Sequence, residues 1–128
     1  MNILLDTCAF LWLTTDAPEL SETAKTLFRD IGNRVYLSSV SVWEIVVKHQ
    51  LGKLPLPTDA ETFIQRQCQL HSIETLPLDS RSVYCLSGLP NHHRDPFDRM
   101  LICQAIAHNL TILSADRVII QYPVRTIW

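Results

Sequence analysis

Short continuous apolar runs alternate along the chain with longer segments whose apolar residues recur at helical spacing. The clearest runs lie at 2–5, 35–38 and 110–113, and weaker ones at 72–76 and 123–127. Runs of this kind are typical of parallel strands that are covered on both faces. Helical patterns lie at about 8–14, 21–31, 41–51, 58–70, 79–87, 95–108 and 115–120. The alternation predicts a three-layer α/β fold with a mostly parallel central sheet of about five strands and helices on both faces.

Composition narrows the class of protein. The chain has 128 residues, of which 47% are hydrophobic and 19% charged, so we expect one globular domain over residues 1–128. Its net charge of -2 creates no general attraction for nucleic acid, and any RNA contact must therefore rest on a local patch. No basic residue precedes the first apolar run and no run approaches the length of a membrane span. We therefore expect no signal peptide, no membrane contact and a cytoplasmic location.

The spacing of the four cysteines does not indicate a disulfide framework. Cys8, Cys68, Cys85 and Cys103 show no Cys-x-x-Cys spacing, and three of them lie inside apolar patterns. We therefore predict buried thiols rather than disulfides or a zinc site.

Acidic residues stand where strands end or where the following helices begin. Asp6 ends the first strand, and Glu44 is expected in the first turn of the helix after the second strand. Asp95 and Asp98 open the long helix at 95–108, and Asp116 follows the strand at 110–113. Ligand sites in parallel sheets lie outside the carboxyl ends of the strands. The topology therefore predicts that these acids converge on one edge of the sheet.

Each acid taken singly also has a purely structural explanation. The segment 41–44 has the pattern of a capping box, with serine first and Glu44 at the third helical position. Asp95 precedes a proline and has the pattern of an N-cap. Asp6 and Asp116 are equally suited to cap the helices that follow them. Function and capping therefore both remain open for each residue.

Taken jointly, the acids favour a metal site. Asp98 shares a helix face with Ile102, Ala105 and Ile106, which directs it along the buried side of the helix. Several carboxylates on one small patch repel each other and raise one another's pKa. A hard divalent cation removes this conflict, and a set of oxygen ligands suits Mg2+ or Mn2+. Such an ion activates water and stabilises displacement at phosphorus, which suggests phosphodiester hydrolysis.

Motifs along nearly the whole chain then resemble those of one family. They are LLDT at 4–7, SVSVWEI at 39–45, LGKL at 51–54, HHRDPFDR at 92–99 and SADR at 114–117. With them the chain resembles PIN-domain ribonucleases, and in particular the VapC-type toxins of bacterial toxin–antitoxin pairs. The run 93–99 is specific to one branch of these toxins.

The resemblance implies a Mg2+-dependent endoribonuclease, with Mn2+ as a substitute ion. It places the four family acids on Asp6, Glu44, Asp98 and Asp116, as catalytic residues and metal ligands. Asp95 is an extra acid of the branch, and its role as a further ligand is open. The resemblance also implies a homodimer, an RNA substrate and a small cognate antitoxin of the VapB type that covers the site. Position 8, a histidine in many relatives of the branch, is a cysteine in this chain.

Basic residues near the acids are candidates for RNA contacts. Arg94 and Arg117 flank the acids, and Lys48 belongs to a small basic rim. Arginine binds phosphate oxygens in bidentate fashion, so these side chains would hold RNA phosphates or pair with the acids beside them. For Arg99 we expect the second role, an ion pair with a neighbouring acid.

Hydroxyl side chains next to the acids are candidates for a supporting role. Thr7 and Ser114 are placed to donate hydrogen bonds to a ligand carboxylate or to a metal-bound water. His92 and His93 are expected to be solvated loop residues, because a set of four acids needs no imidazole.

Two other functions, neither of them catalytic, would also place acids at the edge of a parallel sheet. A receiver-like phospho-acceptor switch needs an aspartate at the end of the middle strand and a late lysine, but Asp79 is poorly placed and the lysine is missing. A catalytically silent PIN-fold interaction module would be indicated by the loss of a family acid, and none is lost.

Overall fold

Five parallel strands form one central sheet. The structure is a computed structural model that describes all 128 residues. The strands are β1 (Asn2–Leu5), β2 (Arg34–Ser38), β3 (Glu74–Leu76), β4 (Thr111–Leu113) and β5 (Thr126–Ile127). Their order in the sheet is β3-β2-β1-β4-β5, and every neighbouring pair is parallel. The predicted fold class is confirmed, and the two weak strands are shorter than their sequence patterns.

Seven α-helices connect and cover the strands. They are α1 (Thr7–Thr15), α2 (Glu22–Arg29), α3 (Ser39–Gln50), α4 (Ala60–Leu70), α5 (Ser80–Tyr84), α6 (Pro96–His108) and α7 (Arg117–Ile120). A 3-10 turn over Cys85–Gly88 continues α5, so the predicted helix at 79–87 is divided in two. No helix has both the length and the apolar character that a membrane crossing requires.

The sheet separates two hydrophobic clusters. Along β1, Ile3 and Leu5 belong to one cluster and Leu4 to the other, as alternating side chains of a strand require. Phe10 of α1 is fully buried in the first cluster and Ile102 of α6 in the second. Burial of such side chains contributes roughly 1.5–3 kcal/mol each and holds helices on both faces of the sheet.

The connectivity reverses at β1. From β1 the chain proceeds outward through β2 to β3, and it then returns to the other side of β1 as β4 and β5. Leu5 pairs in register with Leu113, and the amide of Asp6 donates to the carbonyl of Leu113 at 3.2 Å. The residues that follow β1 and β4 are therefore neighbours at the switch point, where parallel sheets place ligand sites.

The predicted capping box at 41–44 is wrong. Helix α3 begins at Ser39, because β2 ends at Ser38 and the Ser38 hydroxyl accepts a hydrogen bond from the amide of Val40 at 3.0 Å. Ser41 therefore lies inside the first turn, and Glu44 lies in the second turn rather than the first. Glu44 consequently has no capping role in this fold.

The prediction of buried thiols is also largely wrong. Only Cys103 is buried, while Cys68 and Cys85 are half-buried and Cys8 is exposed. Cys8 is the second residue of α1, where its side chain borders an open cavity rather than the core. All four thiols are free.

Candidate active site

Five carboxylates line one open cavity at the switch point. The cavity has a volume of about 350 Å³. Its lining consists of Asp6, Thr7, Cys8, Trp12, Glu44, Lys48, Asp95, Asp98, Ala115 and Asp116. The structure thus brings together all five acids that the sequence singled out, and we call this space the acid cavity. Lys48 is the only cationic residue among its lining residues.

Asp6 is the cap of α1 and, with Glu44, one of the two buried acids of the cavity. Its Oδ1 accepts a hydrogen bond from the amide of Ala9 at 2.7 Å. Burial raises the pKa of Asp6 to about 6, and the charges of Asp116 and Glu44 add to this effect. Hydrogen bonds from the Ser114 hydroxyl and the Ala9 amide lower the pKa but do not prevail. The carboxylate is therefore held in place while its negative charge stays poorly compensated.

Glu44 is buried and held by hydrogen bonds at both carboxylate oxygens. The Thr7 hydroxyl donates to Oε1 at 2.7 Å, and the Ser41 hydroxyl lies 3.0 Å from that of Thr7. The Lys48 ammonium, one turn further along α3, pairs with Oε2. This contact raises the pKa of Lys48. Because 47% of the Lys48 side chain is exposed, the ammonium has room to move away and free Oε2 for another cation.

Asp95 and Asp98 have different positions and contacts at the start of α6. Asp95 is the N-cap, and its Oδ1 accepts from the amides of Phe97 at 3.0 Å and Asp98 at 3.1 Å. Asp98 lies in the first turn, where burial and then the charge of Asp95 raise its pKa. The expected split between a capping and a cavity-facing aspartate agrees with this geometry, although Asp95 also borders the cavity.

The prediction that Asp98 shares a buried helix face with Ile102, Ala105 and Ile106 is only partly confirmed. Ile102 and Ala105 are buried, but Ile106 is 40% exposed. Eight residues at 3.6 per turn exceed two full turns, so Ile106 has rotated towards solvent relative to Asp98.

A tyrosine organises the loop before α6. The phenolic oxygen of Tyr122 accepts hydrogen bonds from Arg99 Nη1 at 3.1 Å and from the amide of His93 at 3.2 Å. It also lies 2.8 Å from His93 Nδ1. With both acceptor sites filled, the phenol must donate its own proton to Nδ1. The network thus assigns the ring proton of neutral His93 to Nε2, which lies 3.4 Å from Oδ2 of Asp98.

Two predictions about this loop are therefore wrong. His93 is not a solvated loop residue, because Tyr122 and Asp98 fix its ring, whereas His92 is exposed. Arg99 makes no ion pair with a neighbouring acid. Its guanidinium instead donates to the carbonyl of Pro90 at 2.8 Å and to Tyr122. Loop carbonyls thus replace the carboxylates as its partners.

Asp116 is the last of the five acids and lies between β4 and α7. It caps α7, with Oδ1 accepting from the amide of Val118 at 2.8 Å. Its own amide donates to the Ser114 hydroxyl at 3.0 Å, and Ser114 thereby links Asp116 to Asp6. Arg117 and Arg94 are exposed, lie outside the acid cavity and make no hydrogen bond or ion pair. Their contact with RNA stays a prediction.

The carboxylate oxygens of the acid cavity suit a hard cation, although the side chains do not converge on one point. No three acidic, histidine or cysteine side chains are arranged closely enough to hold an ion between them. Asp98 and Asp116 each use one oxygen in a contact with the protein, and the other has no hydrogen bond from the chain. Oxygen donors with excess negative charge are the ligands that Mg2+ and Mn2+ prefer.

Several contacts of the site could not be predicted from the sequence. Tyr122 is 29 residues from His93, and no local pattern connects the two. Ser41 was assigned to a cap, whereas its hydroxyl contacts Thr7. Trp12 borders the acid cavity and packs against Trp128, with ring centroids 5.5 Å apart.

The fold is shared with several solved structures. VapBC2 from Rickettsia felis, bound to a DNA fragment, aligns with a TM-score of 0.72 at 15% identity and covers 99% of this chain and 98% of that one. DNA-bound VapBC from Salmonella typhimurium aligns with a TM-score of 0.71 at 14% identity and covers 99% of this chain and 97% of that one. VapBC-5 from Mycobacterium tuberculosis is a member of the VapBC family of toxin–antitoxin systems. It aligns with a TM-score of 0.59 at 20% identity and covers 94% of this chain and 89% of that one. At these identities the likeness shows the fold alone.

Sequence comparison adds a closer but shorter match and a family. Ribonuclease VapC16 of Mycobacterium tuberculosis is 34% identical over 55 residues, which are 41% of this chain and 38% of that protein. The match therefore spans well under half of the relative. The family model of the PIN domain matches residues 3–124. Because that match takes in nearly the whole sheet and all five acids of the cavity, the chain belongs to the PIN domain family.

Proposed function

We propose that this chain is a Mg2+-dependent endoribonuclease that hydrolyses RNA phosphodiester bonds, with Mn2+ as a substitute ion. The observation that carries the proposal is the acid cavity itself, in which five carboxylates face a single lysine at the switch point of the sheet. Membership of the PIN family and the partial match to Ribonuclease VapC16 support a nuclease.

Asp6, Asp98 and Asp116 would hold the ion, with Glu44 joining them when Lys48 moves aside. When bound, Mg2+ supplies charge neutralisation at the phosphate and activation of the attacking water. The chain's own hydrogen bonds orient the acids. Thr7 holds Glu44, whereas Ser114 and the amide of Ala9 hold Asp6. Such supporting contacts are typically worth 10–100-fold in metal affinity or activity.

The partners follow from the same family. We propose that the protein is the toxin of a toxin–antitoxin system, pairs with a small VapB-type antitoxin and forms a homodimer. The support is the shared fold with VapBC structures, one of which is described as a member of the VapBC family of toxin–antitoxin systems. We assign the whole of residues 1–128 to this single functional unit. Arg94, Arg117 and Lys48 would hold phosphates of the RNA.

The test is cleavage of total RNA with Mg2+, with Mn2+ and with EDTA. Asp6→Asn and Asp98→Asn should each reduce the rate by at least about 100-fold, because each removes a charge that would hold the ion. Asparagine still caps a helix, so the fold should persist. Asp79→Asn is the matched control, because Asp79 also precedes a helix but lies outside the acid cavity.

Cleavage that survives EDTA, or that is undiminished in both cavity variants, would disprove the proposal. Absence of cleavage together with absence of Mg2+ or Mn2+ binding at millimolar concentration would instead indicate a catalytically silent interaction module. Calorimetric titration with each ion supplies the second measurement.

A further inference from the structure

An apolar hollow lies directly beside the acid cavity. It has a volume of about 330 Å³ and takes most of its wall from Trp43, Leu78, Leu86 and Met100. Two arginines, Arg94 and Arg99, complete its rim. Clefts that combine apolar walls with a few charged groups are the usual form of small-ligand sites.

Three pairs of sequence neighbours connect the hollow to the acid cavity. In the pairs 43–44, 94–95 and 98–99, one residue lines the hollow and the other lines the acid cavity. Adjacent Cα atoms are about 3.8 Å apart, so the backbone at these three points borders both spaces. The hollow and the acid cavity are therefore neighbours along α3 and at the start of α6.

Trp43 is the exposed aromatic side chain of this hollow. It is 58% exposed although it is a large apolar residue. Its ring packs edge to face against that of Phe97, with the ring centroids 4.8 Å apart. Phe97 thereby fixes the indole while much of its surface remains open to solvent. Exposed aromatic rings of this kind are stacking platforms for the bases of single-stranded nucleic acid.

Arg94 is the unpaired cation of the hollow. Its guanidinium makes no hydrogen bond or ion pair, although the carboxylate of Asp95 follows it directly. Arg99, by contrast, is tied to Pro90 and Tyr122. A free guanidinium next to a strongly acidic cavity offsets the repulsion that a phosphate chain meets there.

We propose that this hollow is a nucleotide subsite, in which Trp43 stacks on a base of single-stranded RNA and Arg94 binds an adjoining phosphate. This inference rests on the proposed nuclease function and names how the substrate is held next to the acids. Stacking on an aromatic ring tolerates any base, so the subsite would add affinity without strict sequence preference. A protein segment would also fill the apolar walls, and sedimentation of the variants distinguishes that case.

Binding of RNA without cleavage tests the proposal. The probe is a fluorescein-labelled single-stranded RNA of mixed sequence, titrated with the full chain in EDTA and followed by anisotropy at several salt concentrations. Trp43→Ala should weaken binding about tenfold, whereas Trp43→Phe should retain most of the affinity. Arg94→Gln should weaken binding and reduce the slope of log affinity against log salt by about 0.7. Trp43→Ala should leave that slope unchanged.

Arg66→Gln is the matched control for Arg94, because Arg66 is an exposed arginine on α4 outside both spaces. Failure of the unaltered chain to bind the RNA, or equal affinity of the Trp43→Ala and Arg94→Gln variants and the unaltered chain, would overturn the subsite. Equal RNA affinity together with altered sedimentation of the variants would assign the hollow to protein contact. Cleavage of RNA by the unaltered chain in Mg2+ is measured separately, so failure of the subsite and failure of the nuclease proposal are distinguished.

Discussion

Asp6 and Asp79 each stand directly before a helix, and their surroundings shift their pKa values in opposite directions. Asp79 precedes α5 and accepts hydrogen bonds from the Ser82 hydroxyl and from His108 Nε2, the latter at 3.1 Å. These contacts lower the pKa of Asp79 to about 2. Asp6 precedes α1 and accepts from an amide and a hydroxyl, yet burial raises its pKa to about 6. Similar hydrogen bonding therefore gives opposite outcomes, depending on burial and on neighbouring charge.

The difference separates a structural acid from a functional candidate. Asp79 is 39% exposed and has a histidine partner, so its anion needs nothing further. Asp6 shares its cavity with Glu44, Asp98 and Asp116, and Lys48 is the only nearby cation. The acid cavity thus holds charge that the fold alone compensates poorly. Pockets with such perturbed acids are candidates for function, because a bound cation would relieve the conflict.

The largest expected effect concerns the stability of the metal-free protein. The folded pKa of Asp6 lies above its unfolded value of 3.8, so protonation favours the folded state. The associated stability is present below about pH 4 and is lost as pH rises through about 6. The rise in the pKa of Asp6 from 3.8 to about 6 corresponds to about 3 kcal/mol in the free energy of unfolding.

Urea unfolding in EDTA at pH 4.5 and pH 8 measures this effect. The Asp6→Asn variant should be the more stable protein at pH 8 and should show a smaller loss of stability between the two pH values. Equal pH dependence in the two proteins would remove the distinction between Asp6 and Asp79.

The second effect concerns the network behind Asp98. Tyr122→Phe removes the phenolic hydrogen bonds to His93 and Arg99, and we expect a loss of stability of about 1–3 kcal/mol. Because His93 then no longer has a fixed tautomer beside Asp98, cleavage should fall by about 10–100-fold, with kcat rather than KM changing. Nitrogen NMR of the His93 ring should report the altered tautomer.

Tyr84→Phe is the control for Tyr122→Phe, since Tyr84 is 76% exposed and lies outside this network. An unchanged His93 spectrum and unchanged kcat in Tyr122→Phe would show that the tyrosine only fills space.

The third effect is stabilisation by the ion. Mg2+ at ten times its dissociation constant should add about 1.4 kcal/mol to the free energy of unfolding. At one fixed Mg2+ concentration the increase should be larger at pH 8 than at pH 5.5, because protonation of Asp6 at the lower pH weakens binding of the ion. Thermal unfolding with and without EDTA checks this. The shift should disappear in Asp6→Asn and persist in Asp79→Asn, and equal shifts in both variants would place the ion elsewhere.

The smallest effect concerns Asp79 itself. Its folded pKa is depressed, so its contribution to stability is present above the unfolded value of 3.8 and is lost as pH falls through about 2. We expect Asp79→Asn to lower Tm slightly at pH 7 and to differ less from the unaltered protein at pH 3. The effect is small because exposed ion pairs contribute little. A difference in Tm that grows on acidification would contradict the depressed pKa.

Sequence patterns predicted the framework well, because burial on both faces of a parallel sheet leaves a readable signal. The run 2–5 became the central strand, and the Asp95–Pro96 start of α6 was confirmed by its cap. Alternation of strands and helices was enough to place Asp6 and Asp116 at one edge of the sheet.

Contacts between distant segments could not be predicted in this way. Three serines at 38, 39 and 41 all suit a cap, and only the end of β2 decides in favour of Ser38. The fixed ring of His93 depends on Tyr122, which arrives from α7 and the turn after it. The sequence predicts that Lys48 contacts RNA, but it does not predict the ion pair of Lys48 with Glu44 one helical turn away. These outcomes depend on packing, which local patterns do not encode.

The position of β1 has a consequence for how the protein is made. Its pairing partner β4 lies more than a hundred residues later, with Ile3 in register with Thr111. Translation proceeds from the N-terminus, so a growing chain that ends before residue 111 has a central strand with one open side and no Asp116. Such long-range pairing forms late in folding. The acid cavity is therefore completed only after the segment that carries Asp116 has been synthesised, which would keep the proposed nuclease inert until then.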